Sequence, residues 1–117
     1  MKEAMLASIL GLIRRILVVD DRMGWRENVC RIIATHPELQ IVAQAASSVD
    51  AVRLAEKLQP DFVLLDIELT LNGLKAAVPI FEISPASRVI FFSQENDLLT
   101  ALAHLGAGQL CVGAAMV

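Results

Sequence analysis

Three acidic side chains and one hydroxyl stand directly after short apolar runs. Asp20 and Asp21 follow Ile16-Leu17-Val18-Val19, Asp66 follows Phe62-Val63-Leu64-Leu65, and Ser93 follows Val89-Ile90-Phe91-Phe92. In open α/β sheets the carboxyl ends of the strands form the edge where ligands bind. If these strands lie side by side, the carboxylates converge on one cleft. Carboxylates held together repel and raise one another's pKa unless a cation intervenes. Hard oxygen ligands of this kind suit Mg2+, which takes one or two carboxylates and completes its shell with water and phosphate oxygens. A carboxylate beside such an ion can attack a phosphoryl donor, because the metal offsets charge on the group in transit. Each residue also has a plainer reading: the aspartate pair as a helix N-cap or solvated turn, and Ser93 as a cap.

The elements that must position these groups are legible in the alternation of apolar runs with helix-period segments, the pattern of a parallel sheet with crossover helices. Ile16 to Val19 is a continuous branched run, expected of a central strand buried on both faces. Trp25, Val29, Ile32 and Ile33 recur at helical spacing, and Pro37 closes that helix. A second strand fits Gln40 to Ala45, and Ser47 or Ser48 can cap a helix whose face is Val49, Val52, Ala55 and Leu58. Pro60-Asp61 punctuates before the third strand. A weak third helix is expected from Asn72-Gly73 to Ser84-Pro85, kinked or broken at Pro79. Arg88 to Phe92 reads as a fourth strand, a short helix follows through Leu105, and Gln109 to Val112 fits a fifth strand.

Composition bounds the function. The chain has 117 residues, room for one ordinary domain, and at 56% hydrophobic it is rich in core formers. A net charge of −3 offers no basic stripe to neutralise phosphates, so direct nucleic-acid binding is not expected. Cys30 and Cys111 are far apart and lack metal-ligand spacing, which reads as free thiols in a reducing compartment. Ala4 to Ile13 is largely apolar but too short to span a bilayer, which favours a cytoplasmic protein without a membrane partner. Trp25 reads as a packing residue near the acidic pair, and His36 and His104 as helix-terminal surface residues.

The blocks Ile16-Leu17-Val18-Val19-Asp20-Asp21, Pro60-Asp61-Phe62-Val63-Leu64-Leu65-Asp66, Asn72-Gly73 and Arg88-Val89-Ile90-Phe91-Phe92-Ser93 together resemble the successive motifs of bacterial response-regulator receiver domains. The resemblance runs from about Arg15 to Ala107. It implies a CheY-like, flavodoxin-like fold: a doubly wound five-stranded parallel sheet of order 2-1-3-4-5 with helices on both faces. It also implies a two-component, phosphorelay role in which Asp66 is the phosphoacceptor. Asp20, Asp21, Asp66 and the backbone carbonyl of Glu68 would bind Mg2+, and Ser93 would be the hydroxyl contacting the phosphoryl group. The implied partners are a sensor histidine kinase or phosphotransfer protein and a downstream protein, with a homodimer as an alternative. A domain so modified is a switch and not an enzyme.

The chain departs from the family pattern at several places. Gly113 stands where receivers carry a lysine, and Leu110 where they carry an aromatic switch residue. Thr70 replaces a proline, and the segments after Asp66 and after Ser93 are slightly short. The fifth helix has no residues left to form it, so an N-terminal extension, residues 1–14, is expected to be helical and to cover that flank, within the chain or across a dimer, ahead of a receiver-like domain at 15–117. On this face Met5, Ile9, Leu12 and Ile13 would lie together. The uncharged tail from Gly106 to Val117 is also compatible with a shortened gene product. Two other functional readings remain: a non-phosphorylated pseudo-receiver acting as a binding or dimerisation module, and a phosphatase or phosphotransferase of a related α/β fold with an aspartate nucleophile. The last lacks a second catalytic acid beyond Glu68 and a cap domain.

Overall fold

The four-residue apolar runs become the centre of a sheet because both of their faces are covered. In the computed structural model, which describes residues 11–66, 70–92 and 115–116, the strands are β1 (Arg14–Val19), β2 (Leu39–Ala45), β3 (Phe62–Asp66), β4 (Arg88–Phe92) and β5 (Ala115–Met116). The helices are α1 (Met23–Ile33), α2 (Ser48–Leu58) and α3 (Thr70–Ile83). The sheet order is β2-β1-β3-β4-β5, with β1 parallel to β2 and β3, and β3 parallel to β4. This is the expected doubly wound order.

Side chains alternate across the sheet, so each strand feeds two cores. Ile16, Val18, Phe62, Leu64, Ile90 and Phe92 share one with Val29 and Ile33 of α1. Leu17, Val19, Val63, Leu65, Val89 and Phe91 share the other with Ala51 and Ala55 of α2 and Ala76, Ala77 and Ile80 of α3. The small alanines let the two helices lie close to the sheet and to each other.

The amino edge of the sheet is bound together by main-chain contacts. Asp61 N–H donates to the Arg15 carbonyl at 2.9 Å and the Arg88 N–H to the Asp61 carbonyl at 2.9 Å, which joins β1, β3 and β4 at their starts. The Asp61 carboxylate accepts from the Arg15 N–H at 2.7 Å. Gln59 ends α2 in the left-handed conformation with φ 47°, and its side-chain amide donates to the carbonyls of Glu56 and Ile83, both at 2.9 Å. Two buried serines, Ser84 and Ser87, share a hydrogen bond, and Ser87 also donates to the Pro60 carbonyl.

Four expectations need correction or completion. The fifth place in the sheet is held by Ala115–Met116, antiparallel to β4, instead of a parallel strand. An edge strand has one ladder only, so no second neighbour imposes its direction. Gln109 to Val112 lie outside the described residues. The third helix starts at Thr70, passes through Asn72-Gly73 and holds Pro79 in its interior. Burial of Ala76, Ala77 and Ile80 outweighs the turn signal and the lost main-chain donor. On α2 the core stripe is Ala51 and Ala55, with Val52 and Leu54 beside it, while Val49 is 76% exposed. Ser47 is the cap, accepting from the Asp50 N–H at 3.2 Å. At the N-terminus, Gly11 takes φ 69° in a turn and residues 12–13 are not helical, so the expected extension helix cannot include them. Residues 1–10 lie outside the described residues.

Pro79 removes the donor that the Lys75 carbonyl would meet in an unbroken helix. Replacing Pro79 by Ala is therefore expected to raise the unfolding free energy by about 1–3 kcal/mol, read from urea denaturation midpoints at unchanged slope. A lowered midpoint would show that the ring's packing outweighs the missing bond. Cys30 packs half-buried against the α1 core, and burial pushes its thiol pKa up; Arg26 nearby opposes the shift and Glu27 adds to it. Between the unfolded and the raised folded pKa the folded chain holds the extra proton, so stability falls as pH rises through that window. In a Cys111→Ser background, Cys30 should alkylate several-fold more slowly than a free thiol at pH 8, with the deficit closing as pH rises.

Candidate functional site

The β1–β3 ladder sets the position of the acids. Val19 pairs with Leu65, so the following residues, Asp20 and Asp66, stand level on neighbouring strands roughly 4.8 Å apart. The Asp20 N–H still donates to the Ala45 carbonyl of β2 at 3.0 Å, which carries the sheet one residue past β1. Asp66 is the last residue of β3 and pairs with Phe92 at the end of β4. The chain leaves β1 toward β2 and returns on the other side at β3, so this edge is the point where strand order reverses. Ligands bind at such points in open α/β sheets.

Asp20 is fully buried, whereas Asp21 is exposed. A buried carboxylate needs compensating charge and hydrogen bonds. Its Oδ1 accepts the Arg22 N–H at 2.9 Å, and the Arg22 guanidinium Nε lies 3.5 Å from the same oxygen. That guanidinium also sits over the Trp25 ring, 5.3 Å from its centroid, within cation–π range. Arg26 turns back one helical turn later. Its Nη1 donates to the Asp20 carbonyl at 2.7 Å and its Nε to Gln44 Oε1 at 3.1 Å. Arg22 itself is the N-cap of α1 and makes no side-chain cap bond, so neither aspartate serves as the helix cap.

The structure thus brings Asp20, Asp21 and Asp66 to one edge. Glu68, Ser93, Leu110 and Gly113 lie outside the described residues. Asp20 contributes one fully buried carboxylate on the strand beside Asp66, and among the described residues no group of three or more His, Cys, Asp or Glu side chains is gathered closely enough to hold a metal ion. Sequence reasoning did not single out Arg22, Arg26 and Gln44. The available signal was the spacing of two arginines one helical turn apart, immediately after an acidic pair. Trp25 packs against the α1 core as a packing residue, and its ring lies under the Arg22 guanidinium.

Sequence comparison bears on the same residues. The family model described as a response regulator receiver domain matches residues 16–110. The chain belongs to this family.

The nitrate/nitrite response regulator protein NarL of Escherichia coli strain K12 is 34% identical over 99 residues, covering 81% of this chain and 46% of that protein. The protein-glutamate methylesterase/protein-glutamine glutaminase 2 of Photobacterium profundum is 37% identical over 99 residues, covering 82% of this chain and 25% of that one. Among solved structures, a LuxR-family two-component response regulator from Aurantimonas sp. SI85-9A1 superposes with a TM-score of 0.74 at 25% identity, over 86% of this chain and 90% of that one. The response regulator domain of Thermotoga maritima CheB superposes with a TM-score of 0.65 at 32% identity, over 86% of this chain and 75% of that one. This receiver domain spans from a quarter to about half of the length of the curated relatives it matches. No helix among the described residues is long and apolar enough to cross a membrane.

The Arg26 contacts tie α1 to the ends of β1 and β2. Arg26→Leu is expected to cost about 1–3 kcal/mol, since the Asp20 carbonyl and the Gln44 amide lose a charged donor. The measurement is thermal and urea unfolding; a variant as stable as the parent would show that those bonds are replaced by solvent.

Proposed function

We propose that this receiver domain accepts a phosphoryl group on Asp66 from the phosphohistidine of a sensor histidine kinase or phosphotransfer protein, and that the modified domain changes its affinity for a downstream protein. The observation that carries this reading is the place of Asp66. It ends a strand buried on both faces and stands level with the fully buried Asp20 at the switch point of the sheet. Membership in the receiver family supports the same assignment.

An Asp66 carboxylate oxygen attacks phosphorus, the phosphorus–nitrogen bond to the donor imidazole breaks, and that nitrogen keeps the electron pair. The product is an acyl phosphate on the domain itself. The donor set of Asp20, Asp21, Asp66 and the Glu68 carbonyl would hold Mg2+, which when bound offsets negative charge on the transferring group. Ser93 would donate its hydroxyl to a phosphoryl oxygen, and the apolar ladder behind Asp66 fixes that residue's place at the end of β3. Gly113 and Leu110, where the family carries a lysine and an aromatic residue, favour a second reading: a pseudo-receiver that binds a partner, or a second copy, without phosphorylation.

Incubation with acetyl phosphate and Mg2+ followed by intact-mass spectrometry separates the two. A single phosphoryl adduct that requires Mg2+ and is lost in Asp66→Asn is the expected result. Folded protein that takes up no adduct would leave the non-phosphorylated binding module as the function.

A further inference from the structure

We infer that the outer face of α2 and α3 is an interface for a second copy of this chain, packed antiparallel about a two-fold axis that passes over Val78. The inference stands apart from phosphorylation of Asp66. Both helices run from the carboxyl rim of the sheet to the amino rim, so they lie parallel to each other. Their alanines face the sheet, which turns Val49 and Val78 outward at 76% and 60% exposure. Between the helices runs a groove of about 310 Å3 lined by Ser48, Val49, Val52, Lys75 and Pro79. Burial of this apolar surface favours association, and the charges beside it select which surface can cover it.

Those charges are self-complementary. On α3 the exposed Lys75 and Glu82 stand about two turns apart, with Val78 and Pro79 midway between them. An antiparallel copy of α3 centred there sets each Lys75 against the partner's Glu82. The Gln59 side chain reaches the Ile83 carbonyl, 24 residues on, at 2.9 Å, which fixes the level of α2 against α3. The centre on α2 therefore falls between Leu54 and Ala55, midway between the exposed Arg53 and Glu56. The same axis thus sets Arg53 against the partner's Glu56. Arg53 lies 3.5 Å from Asp50 of its own chain, yet it is 62% exposed and its five-donor guanidinium can hold a second acid. Opposite charges meet on both helices, as a two-fold interface requires. The 14 residues of α3 give a length of about 21 Å. Two helices side by side are about 20 Å wide, so each copy offers ~400 Å2, against roughly 800 Å2 in a standard interface. The dimer is accordingly weak, with an expected Kd of about 10–500 µM.

The test is sedimentation velocity of the full chain from about 10 µM to 1 mM at low salt, without Mg2+ or a phosphoryl donor, so that Asp66 takes no part. The parent is expected to pass from monomer to dimer over that range. Lys75→Glu and Glu82→Lys, each checked for folding by circular dichroism, should each associate about tenfold more weakly, because both copies then carry the reversed charge. A mixture of the two single variants should recover the parent's association, as should the double variant in one chain, since opposite charges again meet across the axis. A parent that stays monomeric at about 1 mM would overturn the inference. So would single variants that dimerise as well as the parent, which would put the interface on another face. A mixture that stays as weak as its components would overturn it too.

Discussion

A strand buried on both faces has no freedom to slide. In β1 and β3 every residue from Ile16 to Val19 and from Phe62 to Leu65 belongs to one of two cores, and the cores take alternate residues. A slip of one position would exchange the sets, presenting Leu17 to α1 and Ile16 to the alanines of α2. The helices on the two faces differ in bulk, so neither core would accept the exchange. Because Asp20 and Asp66 come next in their strands, the packing that forbids the slip also decides where the acids stand. The site is the end of a ruler whose marks are apolar side chains.

The electrostatics of the edge follow from that placement. Asp20 is carried into a buried position by the ladder beneath it, and the start of α1 answers with two guanidinium groups. Val29 and Ile33 of α1 pack on Ile16 and Val18, and this contact sets the angle at which Arg22 and Arg26 reach back over the strand. Core packing and the charge around the acids are therefore one arrangement, joined through eleven residues of helix.

The strands and the acids at their ends were legible in the sequence because continuous apolar runs admit few other readings, and the Ser47 cap because a hydroxyl before a helical run has a local partner. What was misread depended on contacts distant in sequence. On α2 two apolar stripes compete, and only the fit of Ala51 and Ala55 against the sheet selects between them and leaves Val49 in solvent. Asn72-Gly73 and Pro79 argue locally against a helix that tertiary burial nonetheless sustains from Thr70 to Ile83. Arg22 and Arg26 were not singled out, because their reach to Asp20 depends on the angle of α1. The direction of β5 depends on a single neighbouring strand, which no pattern in its own two residues reveals.

The two rims of the sheet have separate duties. At the amino rim the Asp61, Gln59 and Ser84–Ser87–Pro60 contacts clamp β1, β3, β4 and the ends of α2 and α3 with both main-chain and side-chain bonds. None of these bonds uses a residue of the opposite rim, so the clamp depends on Asp61, Gln59, Ser84 and Ser87 and not on the acids at the far ends of the strands. Substitution at an exposed position of that far rim, such as Asp21, leaves the clamp untouched, much as interchangeable bits share one chuck. A lineage with such a scaffold can vary one rim while the other is conserved.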